Sequence, residues 1–169
     1  MTDVAPVARA RPIQRGTERA VLESMLDFYR ATVVNKVAGL TGTQALTAAV
    51  SPSTLTPANV VKHLAGTERF WFSIDSADLE VTWPWTDDDL HGNFQIEPGD
   101  TLATIVADYV EECVRSRRAV ADADLDDAAR GEGMEFTLRY AMIHMIQETA
   151  RHCGHLDLLR ETADGVVGM

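Results

Sequence analysis

The chain has 169 residues, 46% of them hydrophobic and 24% charged, which is long enough for one domain with a sizeable core and too apolar for a disordered chain. Its formal net charge of −11 speaks against nucleic acid and anionic membrane as partners, and no apolar run approaches the length of a membrane span. The two cysteines, Cys113 and Cys153, are too few for a disulfide framework and read as small buried hydrophobes.

Residues 1–16 are small, polar and basic. They lack the apolar core of a secretory signal, so they are expected to form a flexible lead-in to a cytoplasmic protein with a single domain over 17–169. The first helix is predicted from Glu18 to about Val37, with Val21, Met25, Phe28, Tyr29, Thr32, Val33 and Lys36 at helical spacing. Gly39 and Gly42 end it, and Leu40 to Ser53 is a connection with a few apolar residues of its own. Thr56 caps the second helix, Pro57 suits its first position, and it runs to about Ile74. On a helical wheel His63 lies within about 60° of Thr56, Val60, Thr67, Phe70 and Ile74, so it points inward.

Residues 75–99 carry loop signals: Asp75, Asp78, Trp83-Pro84-Trp85, the acid run Asp87-Asp88-Asp89, His91-Gly92-Asn93 and Pro98-Gly99. A connection of this length inside a compact domain is usually functional or mobile. The two tryptophans either cover one end of the domain or pack on the outer helix surface, and the acid run reads as a solvated face. Asp100 or Thr101 caps the third helix, whose inner face is Leu102, Ile105, Val106, Tyr109, Cys113 and Val120. The acidic stretch Asp122 to Glu135 contains Gly131-Glu132-Gly133, a flexible turn. The fourth helix runs from Glu135 or Phe136 to Thr162. Four amphipathic helices without a competing strand pattern predict an all-α protein, a four-helix bundle. The connections are long enough to permit crossed topology.

The fourth helix holds three histidines and a glutamate in His144-Met145-Ile146-Gln147-Glu148-Thr149-Ala150-Arg151-His152-Cys153-Gly154-His155. On a wheel centred at Met145, the residues Leu138, Ala141, Thr149, His152, Leu156 and Leu159 fall within about 40°. Glu148 sits about 60° to one side and His144 about 100° off. A carboxylate and an imidazole on such a stripe need partners. Glu148 and His152 have the i, i+4 spacing that places two ligands on one metal ion, and His63 can add a third from across the core. Two imidazoles and a carboxylate suit Zn, with Ni, Fe and Mn as alternatives. Competing readings pair Glu148 with Arg151 or Arg139, His144 with Glu148, or His152 with His155. No HExxH motif, glycine-rich phosphate loop or GxSxG elbow is present.

Val61-Lys62-His63-Leu64-Ala65 followed by Glu68-Arg69-Phe70-Trp71-Phe72, together with Leu138-Arg139-Tyr140 and the His144 to Asp157 stretch, resembles the DinB-like superfamily. The resemblance is to an actinobacterial branch close to the mycothiol-dependent maleylpyruvate isomerase N-terminal domains and the mycothiol S-transferases, and it runs from about Thr17 to Gly168. It implies an up-down-down-up four-helix bundle with a metal ion between the helices, and a homodimer formed through helix faces. It also implies the ligand set His63, Glu148 and His152. Most members carry a histidine where this chain has Glu148, and the glutamate is the mark of the mycothiol-dependent type. The isomerase usually has a further C-terminal domain, whereas this chain stops at Met169, so the expected activity is not the isomerisation itself.

The resulting expectation is a metal-dependent transferase joining a low-molecular-weight thiol, mycothiol by resemblance, to an electrophile. A metal-activated thiolate would be the nucleophile. His144 and His155 are the candidate catalytic residues, and Arg151 the candidate for holding the thiol cosubstrate. The alternatives are a metal-dependent hydrolase using the same ligands, and a non-enzymatic, stress-related metal-binding bundle. The surplus apolar residues Val33, Val37, Trp71 and Leu79 are the sequence's only hint of an interface.

Overall fold

A computed structural model describes residues 4–83, 85, 86, 88, 89 and 92–168. Of the loop residues singled out above, Pro84, Asp87 and His91 lie outside the described residues. The described residues are all-helical, apart from the isolated bridges Thr86–Asp89 and Ala128–Thr137.

Each long helix starts where a threonine can cap it. For α1 (Glu18–Val37) the Thr17 hydroxyl accepts the Ala20 N–H. For α3 (Pro57–Glu68) Thr56 and Asn59 satisfy each other's backbone N–H groups, with Pro57 at the first position. Thr101 and Thr104 do the same for α4 (Leu102–Ala119), and Thr137 caps α5 (Leu138–Asp164). Gly165, at φ 77°, ends α5 in the left-handed conformation that glycine adopts freely. A short helix, α2 (Gly42–Leu46), lies inside the segment expected to be a plain connection. Its Thr41–Gln44 capping box is local, but five residues are too few to show a periodic pattern.

Beyond Glu68 the α3 rod continues over Arg69–Ser76 as a widened π-helix. The Ala77 N–H reaches the Phe72 carbonyl at 3.1 Å, and the Ser76 hydroxyl donates to the Trp71 carbonyl at 2.6 Å. Phe72, Ser73, Ile74 and Asp75 are all buried in this segment, as are Leu64 to Glu68 in the turn before it, so the whole end of the rod is enclosed by its neighbours.

α1 packs chiefly along α5 and α3 along α4, and α3 also touches α5. One apolar cluster gathers Val33, Val37, Val60, Leu64, Tyr109 and Leu156. A second, toward the other end, holds Leu26, Phe72, Leu138, Met142 and Met145. Each fully buried aliphatic or aromatic side chain stabilises the fold by roughly 1.5–3 kcal/mol. All the inner-face residues expected for the third helix are buried, as are Leu138, Ala141, Met145, Thr149, His152, Leu156 and Leu159 of the fourth.

The first helix differs from its wheel. Its most buried line is Leu26, Arg30, Val33 and Val37, whereas Val21, Met25, Phe28 and Tyr29 are only half-buried. The reason is Arg30, whose guanidinium donates to both carboxylate oxygens of Glu68, at 2.7 and 2.6 Å. Burial would depress the Arg30 pKa, but the charge and hydrogen bonds of Glu68 outweigh it and hold the guanidinium protonated. Val33 and Val37, expected as surplus surface residues, are enclosed in the core instead.

Two segments are tied down by backbone contacts. The lead-in runs along α1: the Val7 N–H donates to Asn35 Oδ1 at 2.7 Å, Asn35 Nδ2 donates to the Val7 carbonyl at 3.0 Å, and the Gly39 N–H donates to the Val4 carbonyl at 3.1 Å. The glycine turn expected to be flexible is docked on the end of the α3 rod. There the Arg130 and Gly131 N–H groups donate to the Asp75 carbonyl at 3.0 and 2.9 Å. A Cβ at position 131 would come within 3.1 Å of the Asp75 Cα, so a side chain there would press the two backbones apart by a few tenths of an ångström. Among the described residues no helix is long and apolar enough to cross a membrane.

Candidate metal centre

His63 enters the core from the second turn of α3. Glu148 and His152 face it from α5, four residues apart on the apolar stripe. His63 Nε2 lies 3.2 Å and His152 Nε2 3.0 Å from the same oxygen, Glu148 Oε1. One ligand atom from each residue lies within 4.8 Å of the others, and this is the only such group of three or more among the described residues. His152 is buried, with 3% of its side chain exposed, while His63 and Glu148 keep 13% and 15%. The hydrogen bonds from His152 and then His63 hold the Glu148 carboxyl well below the usual carboxylate range, against the opposing effect of burial. The carboxylate is therefore ionised at neutral pH. Two imidazole nitrogens and one carboxylate oxygen on facing helices fit a borderline divalent cation such as Zn.

Around this trio the surroundings differ for each member. The Phe94 ring, carried on the single turn Gly92–Phe94, stacks on His63 at 4.0 Å with planes 13° apart. His63 Nδ1 is buried without a hydrogen-bond partner among the described residues. His152 Nδ1, by contrast, lies 3.2 Å from His155 Nδ1. Burial, and then the neighbouring His152 and Arg151, push the His155 pKa down. Arg151 is exposed and reaches Glu148 Oε2 at 3.5 Å. Arg139, the other partner considered for Glu148, pairs with Glu18 and Asp126 instead.

His144 is separate from the trio. It packs on Trp71 at 4.2 Å between ring centroids and on Tyr140 at 6.1 Å. Trp83 and Trp85 contact Phe70 on the α3 extension, the outer-surface alternative for the loop tryptophans. Cys113 and Cys153 are free and buried. Burial pushes the Cys153 thiol up to about 12 and raises that of Cys113 as well, so neither is a nucleophile at neutral pH.

Sequence reasoning brought His63, Glu148 and His152 together. It missed Phe94, whose only signal was a lone aromatic in a polar loop. It also missed three buried acids away from the trio. Glu68 is clamped by Arg30; Glu112 pairs with Arg69 and Arg115. Asp75 borders a cavity of about 950 Å³ together with Trp83 and Gly131. Its Oδ2 has no partner, and burial pushes its carboxyl up to about 6.

A family model described as mycothiol-S-transferase matches residues 21–165, a span that runs from the first turn of α1 to the end of α5 and includes all three clustered residues. No curated protein matches the chain.

Proposed function

Because the chain belongs to the mycothiol-S-transferase family, we propose that it joins a low-molecular-weight thiol, mycothiol, to an electrophilic small molecule, and that it does so with a divalent metal ion held by His63, Glu148 and His152. The observation that carries the proposal is the convergence of two imidazole Nε2 atoms, from α3 and α5, on one oxygen of Glu148. The pairing of α1 with α5 and of α3 with α4 supports reading the fold as the up-down-down-up four-helix bundle of the DinB-like superfamily.

Zn suits this ligand set best, and Ni, Fe and Mn are the alternatives. When bound, the ion supplies the positive charge that makes a thiol acidic enough to ionise at neutral pH. The chain's own groups do the rest. Glu148, ionised, offsets part of the added charge. Phe94 covers one face of His63 and excludes water from it. Arg151, exposed beside Glu148, offers a guanidinium to polar groups of the thiol or electrophile. His144, set among Trp71 and Tyr140, provides an aromatic wall with one polar atom pair. The sulfur's electron pair forms the bond to the electrophilic carbon, the thiol proton leaves to solvent, and any leaving group departs with its bonding pair.

The test is elemental analysis of protein purified without chelators, together with thiol consumption measured against a panel of electrophiles. Bound metal and thiol-dependent turnover are expected in the wild type, and His152→Ala should lose both. Full activity in metal-free protein or in His152→Ala would end the proposal. Turnover without added thiol would identify a hydrolase instead. A homodimer in the cytoplasm completes the reading. Tyr140, Ile143 and Leu158 are the exposed apolar residues of α5, and sedimentation of the wild type as a monomer would dispose of the dimer.

A further inference from the structure

The two histidines of the cluster differ on their far sides. His63 turns Nδ1 toward a buried place with no hydrogen-bond partner. His152 turns Nδ1 toward another imidazole nitrogen, His155 Nδ1, at 3.2 Å. The two rings meet edge to face, 5.0 Å apart at 77°.

A hydrogen bond between two imidazole nitrogens needs one proton and one lone pair. Coordination through His152 Nε2 requires a lone pair at that atom, so a neutral His152 must carry its proton on Nδ1. The atom facing that proton is His155 Nδ1, which must then be bare, with the His155 proton on Nε2. We infer that His155 is a positioning residue: by accepting a hydrogen bond at Nδ1 it holds His152 in the tautomer and ring orientation that would leave the Nε2 lone pair free for the ion, in place of the hydrogen bond from Nε2 to Glu148. The inference rests on the metal-centre reading above and assigns His155 a role that does not touch the thiol or the electrophile.

The placement supports this on three counts. His155 follows His152 by three residues on α5, so the pair is set by helix geometry rather than by a mobile loop. His152 is almost fully buried, so water is a poor substitute for the missing partner. Among the described residues no comparable group orients His63, against which the Phe94 ring stacks. The cluster therefore has one ligand fixed by a hydrogen bond and one fixed by stacking.

Two measurements test the inference. In protein with ¹⁵N-labelled histidine and loaded with Zn²⁺, two-bond ¹H–¹⁵N spectra should show His152 protonated at Nδ1 and His155 protonated at Nε2. Zn²⁺ affinity, read by competition with a chromophoric chelator, should fall ~10–100-fold in His155→Leu, the usual cost of losing a ligand's outer hydrogen-bond partner. It should return close to the wild-type value in His155→Asn, whose amide oxygen can accept from nearly the same place. Protonation of His155 at Nδ1 in the loaded wild type would overturn the inference, and so would wild-type Zn²⁺ affinity in His155→Leu. The spectra need only the wild type, so a variant that fails to fold does not protect the idea. Wild-type protein that takes up no Zn²⁺ would bring down the metal-centre reading and this inference together. Tight Zn²⁺ binding that is indifferent to residue 155 would overturn this inference alone.

Discussion

The α3 helix sends two polar contacts into the core five residues apart, and they are made of different chemistry. At Glu68 the partner is Arg30, which donates two parallel hydrogen bonds to a carboxylate with no solvent exposure. The guanidinium has donors only and keeps its proton, so the pair is saturated and closed to any ligand. At His63 the partner is Glu148, whose Oε1 is shared with His152 and whose side chain keeps 15% of its exposure. An imidazole can give up its proton and offer a lone pair, so this contact can be exchanged for a metal ion. One carboxylate is paired with a fixed cation and the other with groups that can change role. The first arrangement suits a structural tie between α1 and α3, the second a reactive centre between α3 and α5.

The largest effect expected from this contrast is on stability. Glu68→Ala leaves a buried guanidinium with only the more exposed Asp27 carboxylate as partner and should cost about 3 kcal/mol in urea unfolding, with metal content per folded molecule unchanged. A loss under 1 kcal/mol would mean that the pair is not the tie described. Next, Glu148→Gln should weaken metal binding by more than the ~10–100-fold typical of losing an outer partner. The metal-free variant should remain folded, since Gln keeps the volume and can still accept from one imidazole. Retained metal affinity would turn the trio into an ordinary hydrogen-bonded cluster.

Asp75 supplies a third case, a buried acid with neither kind of partner. Its carboxyl is raised to about 6, so the native state holds the proton more tightly than the unfolded chain does. Stability should therefore be greatest below the ordinary carboxylate pKa and decline as pH rises through about 6. Asp75→Asn should flatten that decline and gain roughly 1–2 kcal/mol at pH 8, as measured by unfolding at pH 5 and pH 8. An unchanged slope would show that some other group supplies the missing partner. The smallest effect belongs to Arg151→Ala, where an exposed ion pair is worth no more than about 0.5 kcal/mol of stability. There the informative measurement is KM for the thiol, which should rise while the melting temperature holds.

Much of the fold was legible because its signals are local. Thr56 with Pro57 and Thr101 each act within one turn of the helix they start, and each caps where expected. Gly165 ends α5 for the same reason. The stripe on α5 was legible because helix geometry alone decides which residues share a face, and His152 lies on it. The predicted face of the first helix took in Thr32, Val33 and Lys36, which are buried, but not Leu26 or Arg30. Arg30 is buried only because Glu68, 38 residues away, comes to meet it. The π-helical turn, the docked Gly131 loop and the lead-in along α1 depend likewise on distant backbone groups that no local pattern reveals.

The amino-acid sequence by itself determined where the first three long helices begin, placed the start of the fourth to within a turn, and showed that His63, Glu148 and His152 face inward, since capping and helical periodicity act over one or two turns. Only the tertiary structure decided which inward polar groups meet. His63 and Glu148 are 85 residues apart, and their contact at 3.2 Å exists only because α3 and α5 pack against each other. The placement of the histidines depends on the fold in the same way. His144 lies with Trp71, His155 stands behind His152 and Phe94 closes over His63, each placed by a neighbour from elsewhere in the fold or by the turn of α5 that carries it.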